Sequence, residues 1–477
     1  MEIINWALSL LLLQGLLGAI DTLYHHELTV ALPRRRGARK ELAIHSIRGL
    51  LYGVVFAAIA NIEFHGLWAM SIAILIAIEV GLTLWDFVVE DNSRKLPATE
   101  RILHTILAIN GGALFGLYAW QLVEWSALPA ALVAVDFGWR GDALSILAIG
   151  VAASGVRDGI AAFRLGNAAT RPNPFIDLAH CRVLVTGGTG FIGEALVNLL
   201  LDAGHDVTVW ARDPLRAAYL FDGRARCVRG LGELDAAAHF DVVINLAGAP
   251  VIGPRWTPKR KVQLLASRVS TTQALFNWAS QAKTRPSTWI QASAIGYYGV
   301  RDGNEILDET SARGSGFMAE LCAGWEAAAQ PVETLDIRLV TLRFGLVFGP
   351  GGALLPLLLP YRFGFGGRLG DGKQVMSWIH RDDLLRLFAE AISNRAMQGT
   401  YNAVAPEAVT QNDFARSAGT VLKRPVWLHL PAAPIRWLAG EMAQLFVDGQ
   451  RVTPKRLLSS GFRFRYATFH AALRDLV

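Results

Sequence analysis

The stretch R182-V-L-V-T-G-G-T-G-F-I-G193 decides how the second half of this chain folds. Val183, Leu184 and Val185 make a short apolar strand, residues 186–190 a turn that glycine tolerates best, and residues 191–201 carry apolar side chains at helical spacing. Each glycine has a physical task. Gly187 makes the tight turn, Gly190 lets a pyrophosphate approach the backbone, and Gly193 allows close packing of helix on strand. Phe191 and Ile192 open the helix, whose N-terminus faces the anion. The expected cofactor-binding set therefore begins with Gly187, Gly190, Phe191, Ile192 and Gly193.

Beyond the turn, strand-like runs at 205–210, 225–228, 241–246, 288–292 and 337–344 alternate with helical stretches. That alternation implies a parallel, doubly wound sheet, an α/β Rossmann fold. The second strand ends at Ala211 and is followed by Arg212. At that position an acidic residue binds the ribose hydroxyls of NAD, and a basic one accommodates the 2′-phosphate of NADP. Arg212 favours NADP(H), while Asp213 beside it keeps NAD open. N245-L-A-G248 ends the next strand but one at the ligand-binding rim, which adds Asn245, Ala247 and Gly248 to the cofactor set.

The first half is a different kind of chain. Hydrophobic residues make up 52% and charged residues 18% of the whole, with a mean hydropathy of +0.32, so part of the protein belongs in lipid. Apolar runs at 3–20, 49–62, 67–89, 102–125 and 143–156 predict an all-α transmembrane bundle of four or five spans, two of them short for the ~20 residues a crossing takes. Met1-Glu2 is not a positive leader, so the first run reads as an uncleaved span. The expected domains are 1–165 (membrane), 166–180 (linker), 181–427 (Rossmann) and 428–477 (a small C-terminal domain).

Arg34, Arg35, Arg36, Arg39 and Lys40 form one basic block; Arg94, Lys95 and Arg101 lie in the third connection, and Arg157, Arg164 and Arg171 follow the fifth run. The second connection has no Lys or Arg. The positive-inside rule then puts the N-terminus outside and the Rossmann domain in the cytoplasm, in a bacterial-type inner (plasma) membrane. The block is a topology signal in this setting, and nucleic acid is not expected as a partner. Cys181, Cys227 and Cys322 form no C-x-x-C, which argues against a zinc cluster or disulfide framework.

The apolar helices carry ionisable residues. Asp21 with His25, Glu41 with His45, and Glu100 with His104 are acid-x-x-x-His pairs on one helix face each, while Glu79, Asp86 and Glu90 lie on another helix. Such groups in membrane helices are costly and usually functional. Asp21, His25, Glu41, His45, Glu79, Asp86, Glu100 and His104 are the candidate ligands of an iron or manganese site, although bundles of that type use Glu-x-x-His. Interfacial salt bridges, or a metal-free quinone or proton site, are the competing readings.

T186-G-G-T-G-F-I-G193, N245-L-A-G248, R255-W-T-P-K-R260, A292-S-A-I-G-Y-Y-G299, L342-R-F-G-L-V-F-G-P-G351 and S377-W-I-H-R-D-D383 together resemble the extended short-chain dehydrogenase/reductases. Within them the chain is similar to epimerase-family proteins of the NAD-dependent epimerase/dehydratase type, whose own C-terminal domain looks like the segment through G449-Q-R-V-T-P-K-R456 and G461-F-R-F-R465. The resemblance implies a Ser or Thr after the fifth strand, then a Tyr and, four residues on, a Lys that lowers its pKa. Ser293 matches. The Tyr-Lys pair is replaced by Phe317 and Leu321, which leaves Tyr297 or Tyr298 to handle a proton and Lys259, Arg260 or Lys261 to supply charge. His380 and Asp382 resemble family residues on the substrate side; a packed, hydrogen-bonded role is equally in keeping with them.

The function these features imply is a membrane-anchored, NADP(H)-binding atypical short-chain dehydrogenase acting on a small-molecule or lipid-like substrate at the bilayer. One alternative is a non-catalytic, dinucleotide-sensing regulator; another is a membrane di-metal oxidase or hydroxylase fed by the NADP(H) domain. By analogy with the class, two copies pair as a homodimer.

Overall fold

The computed structural model describes residues 2–29, 32, 38–93, 98–167, 171–234 and 238–477. Arg34, Arg35, Arg36, Arg94 and Lys95, on which much of the topology argument rests, lie outside the described residues. The chain divides into two compact units, Met1–Thr170 and Arg171–Val477.

The first unit holds five long helices: α1 (Glu2–Ile20), α2 (Arg39–Asn61), α3 (Leu67–Ser93), α4 (Ala98–Ser126) and α5 (Trp139–Asn167). All five are long and apolar enough to cross a membrane. The two short apolar runs become full helices because backbone hydrogen bonding continues through polar residues. In α2 the helix begins at Arg39 and passes Glu41, His45 and Arg48 before its apolar stretch begins. Strands β1 (Ile62–His65) and β2 (Ala131–Ala134) pair antiparallel. Helices α2 and α5 meet through small residues. A Cβ on Gly155 would sit 2.9 Å from the Ser46 carbonyl oxygen, and one on Gly53 2.9 Å from Ala152 Cβ, the close backbone approach common between membrane helices. Trp6, Leu16, Ile74, Trp85, Ile109, Ile149 and Phe163 face outward and exposed.

After Ile20 the chain continues as a π-helical segment, Asp21–Thr29. Its wider i→i+5 turn changes which side chains share a face with Asp21.

In the second unit β3 (Arg182–Thr186), β4 (Asp206–Trp210), β5 (Arg226–Val228), β6 (Val242–Asn245), β7 (Thr288–Ala294), β9 (Arg338–Phe344) and Gly399–Ala403 form one seven-stranded sheet; a short separate pair joins β8 (Ile306–Leu307) to Arg451–Val452. Its order is Gly399–Ala403, β9, β7, β6, β3, β4, β5, and every pairing is parallel. Strand order reverses at β3, which lies between β4 and β6. That switch point is where open α/β sheets bind ligands, and it carries the glycine turn. Helices α6 (Phe191–Asp202), α7 (Pro214–Leu220), α8 (Pro258–Gln281) and α9 (Phe317–Ala329) provide the layers against it.

The expected linker at 166–180 is a linker only in part, and 168–170 lie outside the described residues. From Arg171 the chain is packed: Phe175 is fully buried in the sheet core, Asn173 Nδ2 donates to the Leu199 carbonyl at 2.7 Å, and Arg171 pairs with Asp382 and Asp475. Nor does 428–477 stand apart. Val426–Leu430 pairs in parallel with Gly366–Leu369. Phe469 and Leu473 share a core with Phe348, Trp378 and Phe414, because an amphipathic terminal helix needs an apolar surface to cover.

Candidate functional site

The glycine turn has the geometry its spacing requires. Gly187 has φ +69°, the left-handed region that glycine enters at little cost. A Cβ on Gly193 would collide with the Gly187 carbonyl oxygen, whereas one on Gly190 meets little. Gly190 is therefore the open point of the turn. It precedes α6, which has no side-chain N-cap, so the first N–H groups of the helix, those of Phe191 and Ile192 among them, are available to an anion. The Phe191 ring itself packs against Gly352, 2.8 Å from the position of a Cβ there, with the Arg381 guanidinium 5.1 Å from its centroid.

At the tip of β4, Asp213 is occupied: its carboxylate caps α7 by accepting from the Arg216 backbone N–H at 3.0 Å. Arg212 is exposed beside it. Asn245 is fully buried and its amide is spent inside the sheet. Oδ1 accepts from Thr186 Oγ1 at 2.6 Å, and Nδ2 donates to Thr272 Oγ1 at 2.8 Å and Gln291 Oε1 at 3.0 Å. Its side chain thus clamps β3, β6, β7 and α8, and shapes the rim of Ala247 and Gly248 from behind. One cation there was not anticipated. The Arg268 guanidinium lies 2.8 Å from the position of a Cβ on Gly248 and 5.0 Å from the Trp325 ring centroid; burial pulls its pKa down to about 10.

Ser293 lies at the carboxyl end of β7, next to the strand that ends at Asn245. Its Oγ donates to Glu326 Oε1 at 2.6 Å. Arg343 grips the same carboxylate twice, Nε to Oε1 and Nη2 to Oε2, each at 2.8 Å, and donates through Nη1 to the Tyr298 hydroxyl at 3.0 Å. Although burial opposes it, the Glu326 carboxylate holds Arg343 above the usual arginine range. Two of the three basic residues expected near this site are engaged elsewhere. Lys261 pairs with Glu441 at 2.5 Å and Arg260 donates to the Pro250 carbonyl at 2.7 Å.

The two tyrosines separate. Tyr298 is fully buried, its hydroxyl donating to Asn402 Oδ1 at 2.7 Å, and burial raises its pKa against the opposing pull of Arg343 and Asn402. A sequestered, protonated phenol suits a core position. Tyr297 is half-buried under Arg343, 3.5 Å from ring centroid to guanidinium carbon. Phe317 and Leu321, at the positions of the missing pair, join Trp256, Leu264 and Met442 in an apolar cluster. His380 caps the helix Arg381–Ser393 and stacks on Tyr466, and Asp382 pairs with Arg171. Both have packed roles.

In the helical unit the structure brings together Asp21, His45, Glu100 and His104, and adds His26 and Glu90. His26 enters because the π-helical turn puts it, five residues on, beside Asp21: Nε2 lies 3.6 Å from Asp21 Oδ2 and 3.7 Å from Glu100 Oε1. His25, the expected partner, stands behind Asp21 with both nitrogens engaged, by Asp21 at 2.8 Å and Thr99 at 3.1 Å. Glu79 is bound by Thr83 at 2.6 Å and Arg48 at 3.3 Å; Asp86 is bound by Arg48 and by His45 at 3.2 Å. Glu41 is buried in α2 outside the two groups of converging ligand atoms. The i, i+4 pairing of Asp21 with His25 is present, and the wider turn brings His26 to Asp21 as well. Glu90, which stands with Glu79 and Asp86 in the sequence but outside the expected ligand set, reaches its partners through the packing of α3.

A glycine turn at the switch point of a parallel sheet, with a serine at the end of the fifth strand, defines an extended short-chain dehydrogenase-type Rossmann protein. Residues 183–403 match the NAD dependent epimerase/dehydratase family, and 430–476 match a domain of unknown function, DUF1731. Epimerase family protein YfhF of Bacillus subtilis is 36% identical over 299 residues, covering 62% of this chain and 97% of that protein. The crystal structure of human epimerase family protein SDR39U1 (isoform 2) with NADPH is 34% identical with a TM-score of 0.56, covering 62% of this chain and 98% of the other. UDP-N-acetylglucosamine 4-epimerase from Methanobrevibacter ruminantium, 20% identical with a TM-score of 0.52 over 63% of this chain and 97% of that one, shares the fold. The chain belongs to the NAD dependent epimerase/dehydratase family, through its second unit.

Proposed function

We propose that this protein is a membrane-anchored, NADP(H)-dependent oxidoreductase that acts on a lipid-like or membrane-associated substrate. In this reading the helices lie in a bacterial-type plasma membrane, and the Rossmann unit is on the cytoplasmic side. The observation that carries it is the Ser293–Glu326–Arg343 relay at the strand end beside the glycine turn. NADPH supports the cofactor choice twice: it is present in the human relative's crystal structure, and in this chain Asp213 is used as a helix cap, which leaves Arg212 exposed for a 2′-phosphate.

Bound nicotinamide supplies or takes the hydride. In the oxidising direction Ser293 takes the substrate's hydroxyl proton as it passes its own to Glu326, and in the reducing direction the same proton returns from Glu326 through Ser293 to the substrate oxygen, with the bidentate Arg343 holding the Glu326 carboxyl in place. Glu326 thus takes over the proton chemistry of the absent Tyr-Lys pair, and Tyr297 lines the approach. The apolar cluster of Trp256, Phe317 and Met442, with exposed Trp437 and Leu438 next to it, suits a hydrocarbon substrate.

The test is NADPH oxidation by the full-length protein in detergent against a membrane lipid extract. Turnover lost in Ser293→Ala supports the reading. NADPH binding with no turnover on any lipid fraction would overturn it in favour of a dinucleotide-sensing regulator. A second reading, iron or manganese in the helical unit, is favoured by the buried histidine-carboxylate layer.

A further inference from the structure

We propose that the histidine-carboxylate layer of the first unit is a two-metal centre for iron or manganese, with Asp21, His26, Glu100 and His104 around one ion, His26, His45 and Glu90 beside the other, and Glu90 as the bridging carboxylate. This sharpens the metal reading above and does not depend on the nucleotide chemistry.

One ligand atom from each of Asp21, His26, Glu100 and His104 lies within 4.8 Å of the others, and the same holds for His26, His45 and Glu90. Donors that share one ion at bond lengths of about 2.0–2.2 Å stand roughly 3–3.5 Å apart. Four contacts among the described residues of the layer have nearly that length. His26 Nε2 lies 3.6 Å from Asp21 and 3.7 Å from Glu100. His104 Nδ1 lies 3.4 Å from Glu90 Oε2, and His45 Nε2 is 3.7 Å from Glu90 Oε1. Asp21 with His25 and with His104, and His45 with Asp86, stand at hydrogen-bond length, 2.8, 2.9 and 3.2 Å.

The Glu90 carboxylate therefore presents one oxygen to a histidine of α2 and the other to a histidine of α4. Two metals bridged by a carboxylate need that disposition. The His26 and His45 rings stack with centroids 4.7 Å apart, nearly parallel. His45 Nδ1 and Asp86 Oδ1 are buried without a hydrogen-bond partner, on side chains 9% and 3% exposed.

Three imidazoles and three carboxylates with no thiolate form a donor set for iron or manganese, and helix-borne carboxylate-histidine pairs are how such dinuclear bundles are built. The surroundings supply an outer layer that orients the ligands. His25 ties Asp21 to Thr99, and Arg48 ties Asp86 to Glu79 and Thr83.

The experiment is metal analysis of the full-length protein in detergent, as purified and after anaerobic addition of Fe(II) or Mn(II), with NADPH binding assayed on the same sample. About two iron or manganese ions per chain are expected, with a Mössbauer or EPR signature of a coupled pair. Glu90→Gln and His104→Gln should lose most of the metal, Glu90→Asp should recover part of it, and Glu124→Gln, in the same helix as His104 but outside the layer, should retain it. NADPH binding should be unchanged in all four, which shows the Rossmann unit intact, and helical circular dichroism with an unshifted thermal melt separates loss of the site from loss of the helical unit's fold. The proposal is overturned by zinc alone at stoichiometry, by a single ion that His45→Gln leaves in place, or by protein that binds NADPH but holds no stoichiometric metal after reconstitution.

Discussion

Ser293 gives its hydroxyl hydrogen to Glu326 at 2.6 Å, across 33 residues of sequence. Helix α9 thereby places a carboxylate against the strand-end serine, beyond Phe317 and Leu321, which stand where a tyrosine and a lysine are absent. If Ser293 and Glu326 act as one relay, Ser293→Ala and Glu326→Gln should each lower turnover by about 10²- to 10⁴-fold, and the double variant should lose little more than either. NADPH affinity, measured by nicotinamide fluorescence, should stay within a few-fold. Additive losses would separate the two residues into independent roles.

Arg343 is 5% and Glu326 15% exposed in side-chain terms, so the pair is largely shielded from water. Removing the cation leaves a carboxylate stranded, which costs about 3–5 kcal/mol when a buried pair is broken. Arg343→Met should lower the midpoint of thermal unfolding of the Rossmann unit. Arg343→Met combined with Glu326→Leu should recover much of that loss, with activity still absent.

In the proposed reading Arg212 takes the 2′-phosphate of NADPH. Arg212→Glu should weaken NADPH and spare NADH, since a hydrogen bond to a charged group is worth about 1.5–3 kcal/mol, equivalent to roughly 10- to 100-fold in affinity. Titration of the full-length variant with both nucleotides decides it. Unchanged preference would move 2′-phosphate recognition elsewhere, with Arg268 remaining as a pyrophosphate-side cation.

Burial, reinforced by the Glu326 charge, pushes the Cys322 thiol up to about 12 from 9. The folded state keeps this proton where the unfolded chain has lost it. Its contribution is whole below pH 9 and is lost as pH rises from 9 towards 12. Cys322→Ala should flatten the fall in stability of the Rossmann unit across that interval, as measured by denaturant midpoints. An identical pH profile in the variant would count against it.

Gly193→Val should abolish nucleotide binding, because its side chain would meet the Gly187 carbonyl oxygen and push α6 off β3. Gly190→Ala should be milder in stability but still weaken NADPH, since the space over Gly190 is where an anion approaches. Thermal melts and nucleotide titration together distinguish the two.

Much of this molecule was legible along the chain because the information is local. The glycine spacing, the apolar strand before it and the alternation after it follow from φ/ψ sterics and side-chain periodicity, which neighbouring residues determine. Helix length and composition likewise marked the five long apolar helices, although hydropathy alone shortened α2 and α5, where Arg48 and other polar side chains lie inside the helix.

Contacts between distant elements were decided only by the tertiary structure. Glu326 and Arg343 meet at Ser293 because α9 packs beside β7 and β9; neither residue carries a local mark, and Lys261 pairs with Glu441 instead. Tyr298 went to the core and Tyr297 to the rim although they are adjacent, because successive side chains point in different directions. Asp21 keeps the His25 that its spacing predicts, and the π-helical turn adds His26 beside it. The sequence by itself determined the backbone architecture, through short-range sterics and periodic hydrophobic burial. The choice of which charged and polar groups complete each site needed the packing of helices and strands, since electrostatic and hydrogen-bonding partners are set by distance in space and not by spacing along the chain.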